Sequence, residues 1–205
     1  MEQVQELLNS AIETYSTNGF LDSIKEAKEE YFELAGKILE DDEDFESRMN
    51  GFNYWYITQR ENGDKKLIEE FLKNTDVQQE IEEAILNINH SLFEYRGKSI
   101  TGKHKFKDIL HNTSLSIGKG KFDHSIIKDD LFVARSVEYN GEIFLLNDVS
   151  LLPKQVRSIL VKECKKVRKL NDKTRDLQFL MSVERLKTKW RRYGHVDPKK
   201  IFVFS

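Results

Sequence analysis

The stretch LFVARSVEYNGEIFLL, residues 131–146, decides the fold class. Two apolar runs flank Asn140-Gly141, and Asn-Gly accepts the positive φ angles of a two-residue hairpin turn. The stretch reads as two antiparallel strands, 131–139 and 142–146. Arg135 stands alone in the first run. A buried arginine needs a carboxylate to offset its desolvation, and Glu46 and Asp108 are the candidates for a structural ion pair.

Upstream of the hairpin, short alternating runs separated by turn residues continue from Ser91. Further strands are expected over 92–96, 105–110, 115–117 and 122–127. About six short strands in 60 residues fit a small, strongly bent antiparallel sheet or barrel. Before residue 90 the periodicity is helical: Val4, Leu7, Leu8, Ala11, Ile12 and Tyr15 recur at three and four. A long second helix is expected to run from Leu21 to about Glu40. The run Asp41-Asp42-Glu43-Asp44 reads as a solvated helix start, where carboxylates meet the positive end of the peptide dipoles. It lacks the ligand spacing and central glycine of a calcium loop. Phe52, Tyr54, Trp55 and Tyr56 read as a core or interface cluster. Downstream, Pro153 opens a helical section, and Gly194 and Asp197-Pro198 punctuate its end. The expected fold is thus α+β, in three parts: acidic helices over 1–90, a β region over 91–150 and basic helices over 151–205.

Charge follows the same division. Residues 1–90 hold 8 Lys+Arg against 22 Asp+Glu, whereas residues 91–205 hold 25 against 13, although the whole chain is only −2. Either the two halves attract one another, within a chain or between copies, or the basic half meets nucleic acid. In 153–205, Lys187-Thr188-Lys189-Trp190-Arg191-Arg192-Tyr193 interleaves cations with aromatics, as phosphate neutralisation plus base stacking requires. Lys162, Lys165, Lys166, Lys169, Lys187, Lys189, Arg191 and Arg192 are the candidate binding residues, for nucleic acid or for a protein partner. The Gly-Lys pairs at 102–103, 118–119 and 120–121 lack the phosphate-loop spacing and read as turn tips.

Catalytic chemistry is not legible. The single cysteine, Cys164, falls on the apolar face of its helix and reads as core. Its solitude suits a reducing compartment. No signal peptide and no apolar run of membrane length is read, so the expectation is a cytoplasmic protein without membrane contact. No histidine stands at metal-ligand spacing, and no cofactor is expected. The leading expectation is a non-enzymatic interaction or regulatory protein that takes a protein partner or a second copy of itself. Nucleic-acid binding through 98–121 and 162–192 is the alternative. A third reading is an enzyme of unrecognised type, sited between helices and barrel, with His104, His111 and His124 as first candidates.

Several landmarks resemble a bacterial cytoplasmic protein family of no established activity. Phe45-Glu46-Ser47-Arg48-Met49, Phe52, Trp55-Tyr56 and Arg60 are similar to its Phe-Glu-x-Arg-Met and Phe-x-x-Trp-Tyr pattern. Ser91-Leu92-Phe93, Asp108-Ile109-Leu110, Asp130-Leu131-Phe132-Val133-Ala134-Arg135 and Pro153 follow in the family's order. The chain departs from it at Asp108-Ile109-Leu110-His111-Asn112, where Asp-Leu-Leu followed by a glycine turn is expected. The resemblance spans about residues 30–170 and carries no catalytic or binding residue with it.

Overall fold

Asn140 and Gly141 both adopt positive φ, 54° and 71°, as a tight two-residue turn requires. They join β6 (Leu131–Tyr139) to β7 (Glu142–Leu145), with Tyr139 opposite Glu142 and Ser136 opposite Leu145. This hairpin belongs to a computed structural model that describes residues 1–120, 122 and 125–204, the Asn18 side chain apart. The remaining barrel strands are β3 (Asn89–Lys98), β4 (His104–Asp108) and β5 (Ser114–Ile117). The order β3-β4-β5-β7-β6 closes into a ring through β6–β3 pairing. A ring of five cannot alternate direction throughout, so one neighbouring pair must run parallel. That pair is β5–β7, where Ile117 meets Ile143; the other pairings around the ring are antiparallel, as expected of a small bent barrel. A short β8 (Ser150–Leu152) pairs with the start of β6.

Helices clothe the barrel on two sides. Before it come α1 (Glu2–Thr14), α2 (Leu21–Ala35), α3 (Phe45–Thr58), a small hairpin of β1 (Glu61–Asn62) and β2 (Lys65–Lys66), α4 (Leu67–Lys73) and α5 (Gln79–Leu86). After it come α6 (Arg157–Arg168), α7 (Lys173–Arg192) and α8 (Pro198–Ile201). Asp172 caps α7 by accepting from the Thr174 and Arg175 amides, and Asp197 caps α8 from the Lys199 amide. These bonds satisfy donors that have no partner within the helix.

Three apolar clusters hold the molecule together. Phe93, Tyr95, Phe106, Ile117, Phe132 and Leu145 fill the barrel. Leu92, Leu131 and Val133 point outward beneath Leu160, Cys164 and Val183 of α6 and α7. Val137 and Phe144 join the helical cluster around Trp55, Ile57 and Ile85. Strand β6 is therefore buried on both faces, which is why 131–137 reads as continuous apolar sequence rather than alternation.

Three local expectations fail. Helix α2 stops at Ala35, because Gly36 turns to φ 87° where its carbonyl meets Arg48. Residues 125–130 form no strand: the Asp130 carboxylate accepts from the Ile127 amide and bends the chain, and Ile127 is exposed. The remainder of that expected strand, at 123–124, lies outside the described residues, as does His124. The acidic run is not solvated throughout, because Asp42 and Asp44 pair with Arg48 and Lys187. Among the described residues no helix is long and apolar enough to cross a membrane.

Candidate functional site

Strand alternation sends His104, Phe106 and Asp108 of β4 inward and leaves Lys105 and Lys107 outward. On β5 the outward residues are Ser114 and Ser116, paired with Lys107 and Lys105 respectively. Outward faces of β3, β6 and β7 are sealed by helices, through Leu92, Leu131 and Phe144. The β4–β5 face keeps Lys105, Ser114 and Ser116 exposed, while Lys107 donates to the Asn112 carbonyl at 2.8 Å. Lys98, Lys103 and Lys119 are exposed at one end of this face. The loops bearing Lys103 and Lys119 lie together: a Cβ added at Gly102 would stand 3.3 Å from the Lys119 side chain. Residues 96–121 carry seven Lys and Arg and one acid, Asp108, and that acid is fully buried.

Helix α6 flanks this face. Arg157 grips Glu94 at 2.7 Å, and Arg168 donates to the Ile109 and Leu110 carbonyls at 3.1 and 3.0 Å. Glu94 is the register partner of Lys107, so α6 runs over β3, next to the lysine-bearing strand. Lys162, Lys165, Lys166 and Lys169 are all exposed. Only Lys166 has an ion pair among the described residues, with Glu163 at 2.8 Å.

The candidates on α7 divide differently. Lys187 is buried, 2% exposed, and its ammonium bonds Asp44 at 2.5 Å and Ser150 at 2.6 Å. Arg191 pairs with Glu43 and with Asp44. Arg192 donates to the Lys37 carbonyl, and Lys189 faces solvent. Lys187 is thus corrected from a candidate contact to an internal fastening, and Arg191 is already occupied. The physical reason is the acidic run itself, whose Asp42, Glu43 and Asp44 supply the counter-charges. Burial works against the Asp44 carboxylate, but Lys187, Arg191 and Arg48 outweigh it and hold its pKa below the ordinary range. Beside it, Arg48 binds Asp42 at 2.8 Å, the Gly36 carbonyl at 3.0 Å and the Thr188 hydroxyl at 2.7 Å. The two oppositely charged halves therefore attract within one chain at this seam.

Arg135 is 1% exposed, as its setting required. Its partner is Asp148 at 2.5 Å, with Gln59 accepting from the second nitrogen at 2.5 Å. Neither expected carboxylate plays that part. Glu46 is exposed on the outer side of α3. Asp108 instead accepts from Ser91 at 2.6 Å and Asn89 at 3.0 Å, and its other close neighbour is His111 at 3.0 Å. Asp148 sits closer because the hairpin returns the chain past Arg135, whose carbonyl accepts from the Leu146 amide.

Among the described residues the histidines do not converge. His104 contacts the Tyr95 hydroxyl at 2.9 Å inside the barrel mouth. His111 sits between Asp108 and Asp176, and the bond to Asp108 raises its pKa against the effect of burial. The histidine that sequence reasoning missed is His90. It lies against a small chamber between α2, α3, α7 and the barrel, lined also by Tyr31, Arg135, Asp148 and Glu184. Burial, then the Arg135 charge, hold His90 well below its ordinary pKa. Strand periodicity places His90 outward on β3, but nothing in the sequence says that α7 lies over it. Cys164 is buried, and burial pushes its thiol up to about 12, the state of an inert core cysteine. Among the described residues no group of three histidine, cysteine or carboxylate side chains is placed to hold a metal.

No curated protein and no solved structure matches the chain. A family model does match, over residues 2–187. That span reaches from α1 to the buried Lys187 and so takes in the barrel and the Asp44–Lys187 pair. The chain belongs to a family of unknown function, DUF7986.

Proposed function

We propose that this is a binding protein that holds nucleic acid on the uncovered β4–β5 face of its barrel, flanked by the lysines of α6. The observation that carries the reading is the strand order. Numbered from β3, the ring runs 1-2-3-5-4 and closes on 1, with strands 3 and 5 parallel. Small Greek-key barrels of the oligonucleotide- and oligosaccharide-binding kind use the face of strands 2 and 3, with loops 1–2 and 4–5, for their ligands. Here those are β4, β5, residues 99–103 and the Asn140-Gly141 turn. Lys105, Lys107, Ser114 and Ser116 stand on that face, and lysine and serine are phosphate ligands. No aromatic of β4 or β5 points outward, so the reading is of a phosphate backbone without base preference. The acidic helices do not oppose this, because they pack on the β6–β7 side, where Val137 and Phe144 meet them. A cytoplasmic setting, with the lone thiol reduced, belongs to the same reading.

Photo-crosslinking with a 4-thiouridine oligonucleotide, followed by peptide mapping, tests the location. Adducts within 98–119 and on α6 are expected; adducts confined to residues 1–90 would contradict the reading. A second reading rests on Lys162, Lys165 and Lys169, which are exposed and have no ion pair among the described residues: they also suit the acidic helices of another copy. It predicts dimers in light scattering at low salt that dissociate as salt rises, with no response to added oligonucleotide.

A further inference from the structure

A cleft of 490 Å³ opens between α2, α3, α5 and the start of α7. Its volume lies within the range of small-molecule sites. Trp55, Ile85, Leu177 and Met181 give it an apolar floor. The charged groups sit at the rim. Of these, Arg60 is spent on Glu30 at 2.8 Å. Lys66 and Lys173 line the cleft without an ion pair among the described residues, and Glu61 is the one remaining acid in the lining.

Gln59 supplies the directional element. Its amide oxygen accepts from Arg135 at 2.5 Å, and Arg135 is itself held by buried Asp148. This bond fixes which end of the amide faces inward, because a guanidinium only donates. Gln59 also lines the cleft, and its NH2 group is the end of the amide that Arg135 leaves free. It has no hydrogen-bond partner there among the described residues, so the wall presents an oriented donor to an acceptor-bearing ligand.

We propose that this cleft is a binding site for a small carboxylate with an apolar body, the body on Trp55 and Met181 and the carboxylate among the Gln59 amide, Lys66 and Lys173. The pairing follows from charge: with Glu30 neutralised, two lysines face one acid. A charge-assisted bond adds to what burial of the body provides, whereas a neutral or cationic head gains nothing from the lysines. The site is independent of the nucleic-acid face.

The chain has two tryptophans, so Trp190→Phe leaves Trp55 as the sole indole emitter. Octanoate, octanol and octylamine are titrated against that variant while its emission is followed. Octanoate is expected to shift the emission saturably and to bind about ten-fold tighter than octanol, with octylamine weakest. Lys66→Glu/Lys173→Glu changes two surface residues, and circular dichroism checks that its fold is kept. It should invert the order, favouring octylamine. Equal responses to all three head groups, no saturable response to octanoate, or an order unchanged by the double substitution would overturn the proposal.

Discussion

Replacing Arg135 by alanine is the sharpest test of how the hairpin is tied to the helices. The guanidinium and the Asp148 carboxylate are each 2% exposed as side chains and lie 2.5 Å apart. The same guanidinium donates to Gln59 and lies 5.9 Å from the centre of the Tyr54 ring. Alanine removes all three contacts and strands the carboxylate. Among the described residues Asp148 then keeps only the bond from the Arg135 backbone amide at 3.1 Å, which survives any side chain at 135. Breaking one side of a buried pair costs about 3–5 kcal/mol. For a chain of 205 residues that lowers the thermal midpoint by about 6–20 °C. Arg135→Met/Asp148→Asn should recover much of the loss, because asparagine still accepts from the backbone amide and no charge remains buried. Urea unfolding of wild type, the single variant and the double variant supplies the free energies, and thermal melts of the same three supply the midpoints. A midpoint unmoved by Arg135→Ala, or a double variant no better than the single, would refute the reasoning.

Three further outcomes are expected. Gly36→Ala should cost about 1–3 kcal/mol, since Gly36 holds φ 87° and ψ 146° and a Cβ would meet Thr188 at 2.8 Å; Gly63→Ala, with open space around it, should cost less by the same urea assay. The His111 pKa is raised, chiefly by its bond to Asp108, so its stabilisation is full below the unfolded histidine value near 6.5 and fades as pH rises through the higher folded value. His111→Ala should therefore lose more stability at pH 6 than at pH 9 in paired urea titrations, and an equal loss would show that the pair is not ionic. Cys164 should resist a thiol reagent such as 5,5′-dithiobis(2-nitrobenzoate) in the native protein and react on unfolding, because its thiol is buried and its pKa pushed up to about 12.

Much of the fold was legible because several residues admit one local structure. Asn140-Gly141 demanded a two-residue turn, and the turn then fixed the β6–β7 register. The same register contains what the sequence reading missed. Ser136 opposes Leu145, so the chain passes Arg135 at Leu146 and brings Asp148 alongside two residues later. Glu46 and Asp108 were reasonable by type, but they lie on other elements. The lysine seam was hidden for a different reason. Lys187 follows Val183 at a helical interval, and nothing local distinguishes a buried lysine from an exposed one until α7 is laid against the 36–44 segment. Ring closure was equally silent: β5 and β7 share a single register pair, and their adjacency follows from counting strands around the barrel. The lysines of β4 were visible within the basic 98–121 segment, but their common face appears only once Phe106 is known to point inward.

The central claim is tested most directly by fluorescence anisotropy of a labelled single-stranded RNA of about 20 nucleotides, titrated at several salt concentrations. Phosphate contacts release condensed counterions, so affinity should fall steeply with salt, by about 0.7 in the log–log slope per contact on a single strand. Wild type is predicted to bind at low salt, and Lys105→Glu/Lys107→Glu to reduce the slope by about 1.4 for two lost contacts. Arg191→Glu/Arg192→Glu should leave that slope unchanged, since Arg191 is engaged with Glu43 and Asp44. Absence of binding by wild type at low salt, or a slope untouched by the β4 charge reversal, would contradict the account.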